Sequence, residues 1–253
     1  MTHAKSSFAT RKDAAVPTYA DRRALPVYSI EEAAGYLRIP INTLRSWTLG
    51  RPKANRRGYY EPVLQFIDQD LRRLSFYDLV EAHILRAAVD QNVPLQQLKR
   101  GLAYLRERHR DSPRPLLTYD FVTDGKYLLV EGMLGAKNKN RDVLLNASAH
   151  GQLEISGLLV EHLRLIKGFE NYAKLIGRDR SKLPDTLFPK DGHKIISITS
   201  GVFSGRPVIE GTRIPTSIVA QRFLAGEQPA ALAKDYRISK AKIEAAIKYE
   251  QAA

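Results

Sequence analysis

Ile30, Ala33, Ala34 and Leu37 fall at helical spacing and make one apolar stripe. Ser29, followed three residues later by Glu32, has the capping-box pattern of a helix start. The short side chains of Ala33 and Ala34 let a second helix cross closely. Pro40 ends the pattern, because proline cannot continue a helix. Apolar spacing resumes at Ile41, Leu44 and Trp47, which leaves Asn42, Thr43, Arg45 and Ser46 on the other faces. The pattern predicts a helix-turn-helix that runs on into a wing. A second helix anchored by its apolar side, with Asn, Thr, Arg and Ser outward, suits a DNA major groove. Arg bonds guanine edges in pairs, and Asn does so with adenine. The plainer alternative is a helical hairpin followed by a solvated basic loop.

Beyond this stretch, Val63 to Phe66 reads as a short strand that would complete the wing. Phe76, Leu79, Val80, Ile84 and Ala87/Ala88 predict a helix, with Ser75 and Asp78 as a cap-like pair. A further helix starts at Pro94, and Leu95, Leu98, Leu102 and Leu105 line one face of it. That face would pack on the first domain or meet a twin chain. Ser112-Pro113-Arg114-Pro115 marks a boundary. Asp124-Gly125 between two apolar runs predicts a hairpin. Val143 to Leu145 reads as a strand and Leu158 to Ile166 as a helix. The tail opens with strand-like alternation, punctuated by turns at Gly205, Pro207, Gly211 and Pro215. Helical stretches follow near 216–225, 228–234 and 239–250. The last two have helix-turn-helix grammar, with Asp235-Tyr236-Arg237 as the turn and Ser239 as a cap. The expected fold class is α+β. Its parts are a flexible basic arm over 1–26, a winged helix-turn-helix domain over 27–112, a middle region with a β-hairpin over 113–192, and a C-terminal β-hairpin with a three-helix unit over 193–253.

Charge sharpens the picture. Between Arg38 and Tyr60 stand Arg38, Arg45, Arg51, Lys53, Arg56 and Arg57, with no acid among them. Such a run attracts phosphate. Over all 253 residues the net charge is +13, which favours a polyanionic partner, nucleic acid before membrane. The absence of cysteine removes disulfides, thiolate nucleophiles and Cys-based metal sites. Nothing approaches the ~20 apolar residues of a membrane span, and no signal-peptide run opens the chain, so a cytoplasmic location is expected. His83, His150 and His162 lack companions at metal-ligand spacing and read as structural. No phosphate loop follows Gly205 or Gly211. Carboxylates are scattered rather than paired beside a histidine, so no catalytic residue, metal or cofactor is expected, and the reading is not an enzyme.

The stretch YSIEEAAGYLRIPINTLRSW, continued by LSFYDLVEAHILRAAVDQNVPLQQLKRGLAYLRER, resembles MerR-like DNA-binding domains. In those, one helix supports, the next reads the groove, and a short basic wing lies on the backbone. The resemblance implies DNA contacts from Asn42, Thr43, Arg45 and Ser46, with Arg56, Arg57 and Tyr59 or Tyr60 in the wing; Arg51 and Lys53 of the basic run are further candidate DNA contacts. The usual aromatic pair after the second helix is here Trp47 followed by Thr48, a departure that bears on where the wing sits.

The run GRPVIEGTRIP and the helices after it resemble the domain of unknown function 433, commonly classed with VapB-type antitoxins. Arg206 and Arg213 are the candidate partner contacts in that run. Arg213 would clamp a carboxylate on a partner or close a local ion pair. Two functions compete. The first is a DNA-binding antitoxin, dimeric on its operator, that neutralises a PIN-like ribonuclease toxin, as the resemblance implies. The second is a MerR-like regulator whose middle region binds a small effector, with no toxin.

Overall fold

The computed structural model describes residues 21–53, 58–64, 72–108, 114–118, 121–123, 128–130, 143–146, 152–155, 174–181, 183–189 and 194–252. In chain order the elements are α1 (Ile30–Leu37), α2 (Ile41–Leu49), β1 (Arg51–Pro52), β2 (Tyr59–Tyr60), α3 (Phe76–Asp90), α4 (Leu95–Arg108) and α5 (Pro115–Thr118). There follow β3 (Phe121–Thr123), β4 (Leu128–Val130), β5 (Val143–Asn146), β6 (Gln152–Ile155), β7 (Ile176–Arg178), β8 (Pro184–Leu187), β9 (Ile196–Thr199) and β10 (Val208–Ile209). The chain closes with α6 (Thr216–Leu224), α7 (Pro229–Tyr236) and α8 (Lys240–Gln251). The fold is α+β, with a helix-turn-helix near its start. The strands form a two-stranded ribbon β1-β2 and two four-stranded sheets, ordered β3-β4-β5-β6 and β10-β9-β8-β7.

The described residues fall into two compact units. One takes residues 81–174 and 178–183, and the other takes 19–80, 175–177 and 184–253. The chain passes from one to the other inside α3.

In the first unit, the leucine stripe of α4 is the packing face. Leu98, Leu102 and Leu105 are buried, as are Leu85 and Ala88 of α3 and Leu116 and Leu117 of α5. Arg114, just before α5, is buried and ion-paired with buried Glu81 of α3. Removing one partner of such a pair strands a charge in low dielectric, which typically costs about 3–5 kcal/mol. His83 is also buried. The expected hairpin is present, since β3 pairs antiparallel with β4 (Phe121 opposite Val130, Thr123 opposite Leu128). Asp124 and Gly125 themselves lie outside the described residues. The strand expected at Val143 to Leu145 is β5, paired on its other side with β6. The helix expected over Leu158 to Ile166, with His150 and His162, also lies outside the described residues.

The second unit joins segments far apart in the sequence, from 19–80 and from 184–253. Tyr28 and Leu74 exchange backbone hydrogen bonds at 2.9 and 2.8 Å, which ties the entry of α1 to the entry of α3. Ser75 Oγ accepts from the Asp78 N–H at 3.2 Å, and Asp78 Oδ2 accepts from the Ser75 N–H at 2.7 Å, so the expected cap is a reciprocal one. Residues 21 to 26, expected within the flexible arm, are instead built in. Arg22–Ala24 forms a 3-10 turn capped by Asp21, and Tyr77 donates to Asp21 Oδ2 at 2.7 Å.

The C-terminal part has its own core: Ile196, Ile209, Val219, Leu232, Ile243, Ala246, Ile247 and Tyr249. The tail helices follow the expected stretches closely. The turn between α7 and α8 is tighter than expected, because Asp235 and Tyr236 complete α7 and Arg237 alone takes the left-handed conformation. Ser239 caps α8, its side chain accepting from the Lys242 N–H.

Candidate nucleic-acid interface

The helix-turn-helix is held by a few local devices. Ser29 Oγ accepts from the Glu32 N–H at 3.0 Å, and Glu32 Oε2 accepts from the Ser29 N–H at 2.9 Å. This capping box satisfies two of the donors that a helix start leaves open. Ile30, Ala33, Ala34 and Leu37 are all buried, as their spacing requires. Arg38 ends α1 at φ 54°, and the Ile39 N–H returns to the Ala34 carbonyl at 3.0 Å. Pro40 then opens α2. Leu44, Trp47 and Thr48 form the buried side of α2, and the Thr48 hydroxyl donates to the Leu44 carbonyl at 2.8 Å. Thr48, in the place of a second aromatic residue, therefore packs inward and satisfies its hydroxyl within the helix.

The opposite side of α2 faces outward. Asn42 and Arg45 are exposed, and Thr43 and Ser46 are half-buried. Arg45 Nη2 donates to Glu31 Oε1 of α1 at 2.6 Å, and both side chains stand about half exposed (49% and 57%).

The wing begins at Gly50. Its φ of 74° favours glycine, and a Cβ there would fall 2.4 Å from the Tyr60 carbonyl oxygen. Arg51 pairs with Tyr60 and Pro52 with Tyr59, and the Lys53 N–H donates to the Gly58 carbonyl at 3.1 Å. Arg51, Lys53, Tyr59 and Tyr60 are exposed. The Arg51 guanidinium and the Lys53 ammonium lie 5.2 and 5.6 Å from the Tyr60 ring centre, so one ring gathers two cations. The Tyr59 hydroxyl donates to the Leu49 carbonyl at 2.6 Å, bracing the wing on the end of α2. Arg56 and Arg57 lie outside the described residues.

Two expectations are corrected. Of the strand expected over Val63 to Phe66, Val63 and Leu64 do not complete the wing; β2 at Tyr59–Tyr60 does that, and Gln65 and Phe66 lie outside the described residues. Val63 and Leu64 are buried, and their N–H groups donate to the Trp47 carbonyl at 2.8 and 2.9 Å. The end of α2 captures them before they can extend a ribbon. Arg38, counted among the phosphate-attracting cations, is half-buried. Its guanidinium lies 5.0 Å from the ring centre of Tyr249 on α8 and donates to the Tyr249 carbonyl at 3.4 Å.

Arg38 belongs to a seam within this unit that sequence spacing does not reveal. The Tyr249 hydroxyl donates to the Tyr36 carbonyl at 3.1 Å, and the Tyr28 hydroxyl donates to the Gly205 carbonyl at 2.9 Å. Tyr28 and Tyr36 meet edge to face at 6.2 Å. Burial raises both phenols, Tyr36 to about 12. The helix-turn-helix thus rests on Tyr249 of α8 and on the turn at Gly205. No periodicity links residue 38 to residue 249; only an aromatic at 249 within an otherwise Lys- and Ala-rich helix hints at a packing role.

Arg206 and Arg213 are both exposed, on either side of the buried Val208–Ile209 strand. Arg213 makes no hydrogen bond or ion pair among the described residues, so the local ion pair considered for it is not formed there. Among the described residues no group of three or more His, Asp or Glu could hold a metal ion, and no helix is long and apolar enough to cross a membrane.

Comparison with known proteins finds two family matches. Residues 26–102 match the family described as "Putative DNA-binding HTH domain", and residues 196–249 match "Protein of unknown function (DUF433)". A curated Mycobacterium tuberculosis (strain ATCC 25618 / H37Rv) protein named "Putative antitoxin VapB45" is 26% identical over 226 residues, covering 85% of this chain and 90% of that protein. A crystal structure of Rv2018 from Mycobacterium tuberculosis matches at TM-score 0.58 and 20% identity, over 90% of this chain and 100% of that one, a likeness that bears on the fold alone. By these matches the chain is similar to the DUF433 family over residues 196–249 and, over residues 26–102, to a helix-turn-helix domain described as a putative DNA-binding one.

Proposed function

We propose that this protein is the DNA-binding antitoxin of a type II toxin–antitoxin system. It binds the operator of its own operon and neutralises a PIN-like ribonuclease. The observation that carries the DNA half is the outward face of α2: Asn42 and Arg45 are exposed while Leu44 and Trp47 pin the opposite side. Asn42, Thr43, Arg45 and Ser46 read base edges. Arg51, Lys53, Arg56, Arg57 and Tyr59 meet the backbone. The antitoxin half rests on the DUF433 match and on the similarity to a protein named as an antitoxin. Arg206 and Arg213 contact carboxylates of the toxin. The protein acts as a homodimer, because operators read by such helices are two-fold and present paired half-sites.

The test is co-expression of the chain with the reading frames that neighbour it in its genome. A small ribonuclease should arrest growth alone, be silenced by this protein, and co-purify with it. The complex should shift DNA from upstream of the operon. If no neighbour is toxic and a small molecule instead releases that DNA, the effector-driven regulator replaces this reading.

A further inference from the structure

We propose that Glu31, on the supporting helix α1, sets the sequence specificity of the DNA interface by restraining Arg45. This rests on the reading of α2 as the recognition helix and deepens it. Arg45 is the only arginine on α2, and its Nη2 is bonded to Glu31 Oε1 at 2.6 Å. Hydrogen bonds from Glu31's own backbone N–H and from Arg45 hold the Glu31 carboxyl below the usual carboxylate range, so it is an anion near neutral pH.

A guanidinium carries five N–H donors, and the bond to Glu31 uses one. The others stay free for the paired acceptors of a guanine edge. An unrestrained arginine at the same place would gain equally by reaching any phosphate, since that attraction is indifferent to sequence. Restraint changes the comparison. To reach a phosphate, Arg45 must give up Glu31, and the carboxylate is left facing a polyanion. To reach a guanine edge, it keeps Glu31 and the anion stays neutralised. Glu31 therefore weakens binding to every duplex, and it weakens non-cognate binding most. Because the ion pair is exposed, it is weak enough to yield. It acts as a bias and not as a block.

The experiment uses the full chain. A duplex is enriched from a random library with the wild-type protein, and a shuffled duplex of the same composition serves as the reference. Affinities for both are measured by fluorescence anisotropy for wild type, Glu31→Gln, Arg45→Ala and the double variant. Glu31→Gln should bind the shuffled duplex roughly threefold or more tightly and lower the ratio of the two affinities. In the Arg45→Ala background, Glu31→Gln should leave the ratio unchanged, because nothing remains to restrain. A role limited to holding α1 in place would not produce that dependence. Glu31→Asp keeps the charge at the helix start but withdraws it from Arg45. It should lower the ratio without tightening shuffled binding to the same extent, and it serves if Glu31→Gln fails to fold. If Arg45→Ala lowers the ratio while both Glu31 variants keep the wild-type value, the inference about Glu31 is wrong and the recognition helix stands. If Arg45→Ala itself leaves the ratio intact, both fall.

Discussion

At the scale of single residues, two positions show how much a side chain can fix. Arg45 stands outward because Leu44 and Trp47, one residue before it and two after, point inward and are buried. That much was legible in the sequence, since alternation along a helix assigns faces without knowledge of the rest of the chain. Gly205 was legible only as a turn. Its φ is +75°, and a Cβ there would fall 2.1 Å from the Tyr28 hydroxyl, which bonds the Gly205 carbonyl. The need for glycine arises from a residue 177 positions away, and no local pattern encodes it. Gly205→Ala should therefore destabilise the protein by about 2–4 kcal/mol, from left-handed strain and the collision with Tyr28 together. Urea unfolding measures this, and a midpoint equal to wild type would remove Tyr28 and Gly205 from the seam.

Elements are where the sequence reads best and where the wing reads worst. The capping box at Ser29, the stop at Pro40 and the α4 leucine stripe are local, so spacing and cap chemistry suffice to find them. The wing is not local. Val63 and Leu64 have the apolar character of a strand, but the Trp47 carbonyl takes both their N–H groups. Competition for backbone donors from another element decided the outcome. The wing carries Arg51 and Lys53, exposed beside one tyrosine ring. Replacing both by alanine should lower affinity for all duplexes alike and reduce the slope of log affinity against log salt by about 2. A slope that stays the same takes the wing off the DNA backbone. The 3-10 turn before α1 makes a separate prediction. Burial alone would raise the Asp21 carboxyl, but hydrogen bonds from Arg23 and Tyr77 outweigh it and hold it at about 2. A carboxylate depressed in the folded state stabilises above its usual value near 4. That contribution is lost as pH falls through about 2. Wild type and Asp21→Asn should thus differ in melting temperature at pH 6 and converge in strong acid.

On the scale of the whole molecule, the helix-turn-helix and the C-terminal helices share one compact unit. The helix-turn-helix and the C-terminal helices were each visible in the sequence, but their contact was not. It is made by Arg38, Tyr36 and Tyr28 on one side and Tyr249 and Gly205 on the other, at separations no periodicity samples. The protein carries a convenient reporter, because Trp47 is its single tryptophan and is buried in α2. Tyr249→Ala should lower the stability reported by Trp47 fluorescence by about 3–5 kcal/mol, although Tyr249 lies at the far end of the sequence. An unchanged Trp47 transition would mean that the seam carries no stability. Base reading by α2 is checked by selecting duplexes from a random library with the full chain and with Asn42→Ala and Arg45→Ala. Wild type should enrich a short two-fold motif, and each variant should lose preference at one base position per half-site, at a cost of about 1–3 kcal/mol on the original motif. Selection of the same motif by all three proteins, or enrichment of none by wild type, would contradict it.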